Sequence, residues 1–322
     1  MKVRESAASE APAAETLGHL RPRDRAGFGF FCLVALTTAA GTWMAVAGGT
    51  LGWIAGQCVL ALAFVQWFVL LHEAGHRTLF RTRSLNTLAG WIAGFFALIP
   101  YPSWQRIHAR HHRWTGWQDL DTTTATLVPR PLAAWERSAV NLAWKTGLPL
   151  FSVLYRLSNY WNLKRLAGYL SATDIRKLRS GVIVALLAYA IVTILVGPLV
   201  LIQCFAVGRL LALALEDPLL LSQHTHIPQH LSDGARVRPF APFDQQRFTR
   251  SLRLPGWLSF LILHFDAHEL HHMYVHVPEY NLHRIPHQPG NEVGAWTWLR
   301  AAKRLPGTVF LFQNSAQTGF KL

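Results

Sequence analysis

From Gly27 to Leu71 no charged residue interrupts the chain. A run of that length holds two membrane-crossing helices of about 20 residues each. Gly48 and Gly49 mark a turn between them, so the pattern predicts a helical hairpin over residues 28–48 and 51–71. A second hairpin is predicted over residues 181–201 and 203–221, with Gly197 and Pro198 near its turn. Its second arm contains Arg209, Glu216 and Asp217. Charges inside a span are costly and face a bundle interior or a polar cavity, so these three either serve function or pair to lock the helices. Between the hairpins, Ser84 to Trp104 is uncharged and long enough to cross. Crossing would put the histidine-rich segments on either side of it on opposite faces of the membrane, and Gly90, Gly94, Pro100 and Pro102 break the pattern. Residues 84–104 therefore read as a helix lying in the interface or dipping into the bilayer. The apolar run from Leu254 to Phe265 is too short to span.

The expected fold is all-α: a polytopic membrane protein with four transmembrane helices in two hairpins and a cytosolic, histidine-rich helical cap at 105–179 and 222–322. Arg21, Arg23 and Arg25 precede the first hairpin, and Arg77, Arg81 and Arg83 follow it. By the positive-inside rule both flanks are cytoplasmic. Residues 1–26 are small and polar with mixed charge, read as a disordered tail without a cleavable signal sequence. The membrane domain then occupies 27–322.

Composition supports this picture. Of 322 residues, 51% are hydrophobic and only 15% charged, against about 25% charged in soluble domains. The net charge of +14 sits outside the uncharged runs, which fits a basic surface facing a membrane rather than nucleic acid. Cys32, Cys58 and Cys204 all fall in apolar runs, where they act as small hydrophobes with no disulfide expected.

Eight of the 16 histidines fall in three short windows. These are His72 and His76 in HEAGH, His108, His111 and His112 in HARHH, and His268, His271 and His272 in HELHH. On a helix, residues three and four apart share one surface at about 5–6 Å. His268 can thus share a metal with His271 or His272 while the adjacent pair diverges, so one such box can feed two metals. Imidazole suits iron, zinc, copper and nickel. Carboxylates commonly orient metal-bound imidazoles through the second ring nitrogen. Asp266 is the first candidate for that role, with Asp119 and Asp121 behind it, and Glu73 is read as a helix-face residue that orients a ligand. His264, His276, His283 and His287 are assigned supporting polar roles.

In HEAGH, SWQRIHARHHRWTG (Ser103 to Gly116), LSQHTHIPQH (Leu221 to His230) and DAHELHHMYVHVPEY the chain resembles the membrane fatty acid desaturases, most closely the delta-12 and omega-6 acyl-lipid type. The resemblance covers roughly residues 65–285. It implies a pair of irons held almost wholly by histidine, with a ninth ligand after the fourth span, which here matches His224 better than His226. The chain departs from that group at Glu279 and Asn281, where histidines are common, and at Arg77. It has no His-Pro-Gly-Gly haem motif, since His287 to Gly290 reads HQPG. Electrons are therefore expected from a separate carrier such as ferredoxin, or cytochrome b5 with its reductase.

Removing hydrogen from an unactivated alkyl carbon needs a stronger oxidant than any side chain, hence a redox metal and O2. The expected activity is an O2-dependent diiron desaturase acting on a fatty acyl chain in lipid, CoA or carrier-protein form. An acyl or carotenoid-type hydroxylase or ketolase is the rival on the same scaffold. HEAGH also satisfies the HExxH zinc-hydrolase pattern, but that reading leaves two HxxHH boxes unexplained; a non-catalytic metal-binding membrane protein such as a transporter would place polar ligands near the bilayer midplane, whereas these boxes sit at span ends or beyond. The expected location is a bacterial inner membrane, with the site on the cytoplasmic face.

Overall fold

The computed structural model describes residues 17–286 and 289–322. Its helices are α1 Asp24–Ala47, α2 Gly49–His76, α3 Arg83–Ala97, α4 Tyr101–Trp114, α5 Ala134–Thr146, α6 Leu150–Arg156, α7 Leu163–Leu166, α8 Ala172–Val196 and α9 Pro198–His224. They continue as α10 Gly256–Leu261, α11 His268–Met273, α12 Glu279–Leu282, α13 Ala295–Ala302, α14 Gly307–Phe312 and α15 Ser315–Thr318. A two-stranded parallel ribbon pairs β1 Ser251–Arg253 with β2 Glu292–Gly294. Four helices, α1, α2, α8 and α9, are long and apolar enough to cross a membrane.

The spans are not equivalent. The apolar window of α2 is 72% buried, whereas those of α1, α8 and α9 are 11–17% buried. The helix α2 is the axis, and the others show Leu36, Trp43, Ile194 and Leu195 outward, as lipid contact requires. Small residues let the backbones meet, as is usual between helices in lipid. A Cβ on Gly56 would lie 2.7 Å from Gly41 O on α1, and one on Gly208 of α9 would lie 2.9 Å from Leu60 Cβ. Beside that contact, the buried Gln57 amide donates to Cys204 O at 2.9 Å and accepts from Gly208 N at 2.7 Å.

The expected interfacial helix over 84–104 is instead two helices. The helix α3 ends at Leu98, in the left-handed region at φ 58°, and α4 leaves at 97° to it. A helix end leaves its last carbonyls without intrahelical partners, a heavy cost in a membrane. Side chains from four other segments supply those partners. Tyr189 Oη donates to Phe95 O at 3.1 Å, Arg209 to Phe96 O, Arg156 Nε to Ala97 O at 3.1 Å, and Trp161 Nε1 to Leu98 O at 3.0 Å. Arg156 also pairs with Glu216, and Asp217 accepts from Ser152 N at 2.6 Å. Of the two readings open for the charges in the fourth span, locking the helices is the one the geometry bears out.

Residues 17–26, expected as part of a disordered tail, are ordered, with a turn at Gly18–Leu20 and α1 starting at Asp24. Leu17 and Leu20 are buried against Leu270, Met273, Tyr274, Val277, Leu282 and Ile285. Asn281 Nδ2 donates to Leu20 O at 3.1 Å, and Arg23 N donates to Tyr280 Oη at 3.1 Å. Residues 1–16, and His287 with its assigned polar role, lie outside the described residues.

Candidate metal centre

The last turns of α2 and α9, the helix α4 and the short α11 converge, bringing nine histidines together in two groups. His72, His76, His108, His112 and His271 form one; His111, His224, His268 and His272 form the other. Within each group the nearest ligand atoms all lie within 4.8 Å of one another. The i, i+3, i+4 spacing explains the division. On α4, His108 and His112 share one group while His111 turns to the other; on α11, His268 and His272 share one while His271 turns away. Gly75 in HEAGH makes room for this, since a Cβ there would lie 1.9 Å from the Trp104 ring, which stacks on His108 at 4.2 Å.

Outer hydrogen bonds set the ring tautomers. His111 Nδ1 donates to Asp121 Oδ2 at 2.7 Å, His272 Nδ1 to Gln245 Oε1 at 2.9 Å, and His224 Nδ1 to Phe248 O at 3.0 Å. With Nδ1 protonated, each neutral ring turns a bare Nε2 lone pair inward. The inward nitrogens nevertheless approach closely: His111 to His272 at 3.2 Å, His224 to His268 at 2.8 Å and His268 to His272 at 3.0 Å. Lone pairs facing one another at such distances repel, and a cation between them converts the repulsion into coordination. In the five-histidine group His112 Nε2 lies 3.0 Å from His108 Nε2 and 3.1 Å from His271 Nε2, while buried His72 Nε2 and His76 Nε2 have no hydrogen-bond partner among the described residues. Both groups therefore fit a metal ion.

Electrostatics agrees. Burial, reinforced by the neighbouring imidazoles, holds His108, His112, His268, His271 and His272 well below the usual histidine range, keeping them neutral and able to ligate. Burial pushes the Asp121 carboxyl up, but the His111 ring and the Thr123 N–H outweigh it and hold Asp121 below the ordinary value.

The candidate carboxylates separate clearly. Asp121 reaches a ring of the cluster. Asp266 does not: its side chain accepts from Ser259 Oγ at 2.6 Å, because the chain turns at Leu263 and His264, both at positive φ, before α11 begins. Asp119 is occupied by Ser232, whose N–H donates to it at 2.9 Å. Glu73 accepts from Glu279 N at 3.2 Å and lies with His72 and Glu279 in a third group whose nearest ligand atoms are within 4.8 Å of one another. The carboxylate that spacing arguments missed is Glu279. Its Oε1 lies 3.2 Å from His72 Nδ1 and 3.6 Å from His271 Nδ1, so one group faces two rings of the five-histidine set. Burial and the facing Glu73 push Glu279 well above the carboxylate range, and a cation among those histidines would favour its ionised form. The available signal was its place seven residues after His272, where the resemblance is broken. His226 is directed elsewhere, its ring nitrogens lying 3.0 Å from Gln313 O and 3.1 Å from Phe320 O.

Beside the histidines lies a small cavity of about 40 Å³, walled by Phe68, Trp104, Tyr160 and Phe265 together with His72, His108 and His268. Leu127, Phe151 and Tyr155 also line a larger cavity of about 450 Å³, whose outer wall includes Trp135, Leu148 and Leu154. Those three outer residues are 73%, 56% and 50% exposed.

A family model described as fatty acid desaturase matches residues 48–289, more than half of the chain. The chain is 23% identical over 230 residues to an omega-3 fatty acid desaturase of the endoplasmic reticulum from Vigna radiata, covering 67% of this chain and 58% of that protein. It is 25% identical over 227 residues to an sn-1 oleoyl-lipid 12-desaturase from Picosynechococcus sp., covering 68% and 63%. To a chloroplastic omega-6 fatty acid desaturase of Arabidopsis thaliana it is 23% identical over 249 residues, covering 73% and 54%. The chain thus spans less than two thirds of the length of these curated relatives. With four apolar spans and nine histidines gathered at their ends, it is a polytopic membrane protein of the fatty acid desaturase family.

Proposed function

We propose that this chain is an O2-dependent desaturase that introduces a double bond into a fatty acyl chain, with one iron in each histidine group. The observation that carries this reading is the pair of adjacent all-histidine groups whose inward nitrogens converge beside an apolar cavity. Imidazole suits iron, and an iron pair, when bound, would supply with O2 and two electrons the oxidising power to take hydrogen from an unactivated carbon. The protein's own part is to position and to exclude. Phe68, Trp104 and Phe265 offer apolar walls beside His72 and His268, and Asp121 and Glu279 hold ring orientation from outside. The acyl chain would reach this site through the larger cavity, passing Leu127, Phe151 and Tyr155. The arginines flanking the first hairpin support a cytoplasmic orientation of the histidine end, in a bacterial inner membrane, with electrons from a separate carrier.

The test is iron content of the purified chain together with a lipid profile of cells with and without it. Bound iron and a new unsaturated acyl species support the reading; a hydroxylated species assigns the centre to a hydroxylase, and zinc with unchanged lipids overturns it. Two variants probe the parts. Leu127→Trp, in the wall that the two cavities share, is expected to block the acyl chain and remove the product while leaving bound iron unchanged. Glu279→Ala is expected to weaken metal binding in the five-histidine group by about 10–100-fold. Metal titration of the purified variant checks this, and unchanged affinity would remove Glu279 from the site.

A further inference from the structure

The 3₁₀ turn Pro242–Phe248 packs against the histidines and contributes no residue to the wall of the small cavity. Gln245 accepts from His272 Nδ1 and donates to His112 O at 2.7 Å, so this one turn touches both histidine groups. Phe248 closes it, and its carbonyl accepts from His224 Nδ1. From the buried Phe248 an aromatic string runs outward. Its ring centroid lies 4.8 Å from that of Phe240 and 5.6 Å from that of His230, and Phe240 stacks on Trp117 at 5.6 Å. Gly116 is what lets the string close, since a Cβ there would lie 2.6 Å from Phe248 and 2.8 Å from Phe240.

The outer end of the string is a surface. His230 and Leu231 are exposed, and so are Arg236 and Arg238, which form no ion pair among the described residues. Trp117 Nε1 donates to Arg238 O at 3.0 Å, tying the arginine segment to the aromatics. Arg247 is paired with Asp244, leaving Asp233 as the nearby acidic group in this segment. Aromatic residues and arginine are the types that protein–protein interfaces concentrate, and the +14 charge of the chain attracts an acidic partner over long range.

We propose that this face docks an acidic, one-electron carrier protein, and that electrons pass from it along Trp117, Phe240 and Phe248 to His224. The inference rests on the reading of the centre as a redox-active iron pair. Electron transfer weakens steeply with distance and favours bonded and hydrogen-bonded routes over gaps. The Phe248 carbonyl to His224 Nδ1 contact is such a route, and Phe248 itself is not part of the wall of the small cavity. Each encounter oxidises the carrier by one electron and reduces the metal pair by one, so two encounters supply one turnover.

The experiment uses the full chain in nanodiscs and a plant-type [2Fe–2S] ferredoxin as the acidic probe. Binding to the metal-free chain is measured against salt, and reduction of the iron-loaded chain is followed with reduced ferredoxin and, separately, with dithionite. The double change Arg236→Glu and Arg238→Glu is expected to weaken ferredoxin binding about tenfold or more at low salt and to flatten its salt dependence. Phe240→Leu is expected to leave binding and dithionite reduction unchanged while slowing reduction by ferredoxin. Charge-reversed protein that binds and accepts electrons like the wild type overturns the proposal. So does a charge reversal that abolishes the chain's preference for anionic over neutral lipid in nanodiscs yet leaves ferredoxin binding intact, which would assign the arginines to lipid. A wild-type chain that binds ferredoxin at this face but takes no electrons even from dithionite would overturn the redox reading of the centre while leaving the docking surface in place.

Discussion

His271→Ala is expected to abolish formation of the unsaturated product and to lower bound iron. His271 is the one residue of α11 that belongs to the five-histidine group. Its Nε2 meets His112 at 3.1 Å, its ring packs at 4.5 Å from His72 and 4.7 Å from His76, and its Nδ1 faces Glu279. Alanine therefore removes an inward donor and, with it, one of the two rings that Glu279 faces. The ring is almost wholly buried, so general unfolding has to be separated from loss of the site. His271→Gln keeps much of the bulk without the imidazole, and far-ultraviolet circular dichroism of both variants against the wild type reports the helices. Iron analysis and lipid profiles then read the site. Retained iron and retained product in either variant would count against His271 as a ligand.

Glu216→Ala is expected to produce the largest loss of stability, about 3–5 kcal/mol, because it strands the buried Arg156 guanidinium without its carboxylate. A membrane domain with an ordinary margin of about 5–15 kcal/mol would show this as a marked fall in midpoint during thermal unfolding in detergent. Adding Arg156→Met to Glu216→Leu removes both charges, and replacement of a buried pair by apolar groups is often neutral. Here recovery is expected to be partial, since Arg156 also donates to Ala97 O at the end of α3 and to Ser152 O at 3.3 Å. Full recovery would show that the carbonyls of α3 do not depend on Arg156.

The spans and the histidines were legible in the sequence because both rest on local regularities. An uncharged run reports hydrocarbon, and His108 with His112, or His268 with His272, report a helix face by spacing alone. What escaped depends on distant partners. Glu279 earns its place through His72, more than 200 residues away, and no spacing rule links a residue of the short α12 to the last turns of α2. Asp266 looked favourable for its nearness to His268 in sequence, but its carboxylate is taken by Ser259 Oγ, a contact that spacing along the chain does not reveal. The break of 84–104 into α3 and α4 was signalled by Pro100 and Pro102, yet its cost becomes tolerable only through Tyr189, Arg209, Arg156 and Trp161. Leu17 and Leu20 read as tail because two leucines in a polar stretch carry no periodicity.

The packing of residues 17–23 against α11 and α12 has a bearing on how the protein is assembled. Leu20 and Asn281 are separated by 261 positions, and Arg23 and Tyr280 by 257. Contacts that distant in sequence form late, after the intervening loop has been closed. A ribosome delivers the first partner of each pair before the first span and the second only after all four spans are made. The first hairpin therefore enters the bilayer with Leu17 and Leu20 unsatisfied, and His268, His271 and His272, which complete the two histidine groups, arrive only after the fourth span. Neither histidine group is complete until α11 has been made, and in the interval before it Leu17 and Leu20 lack the apolar partners they pack against in the folded chain.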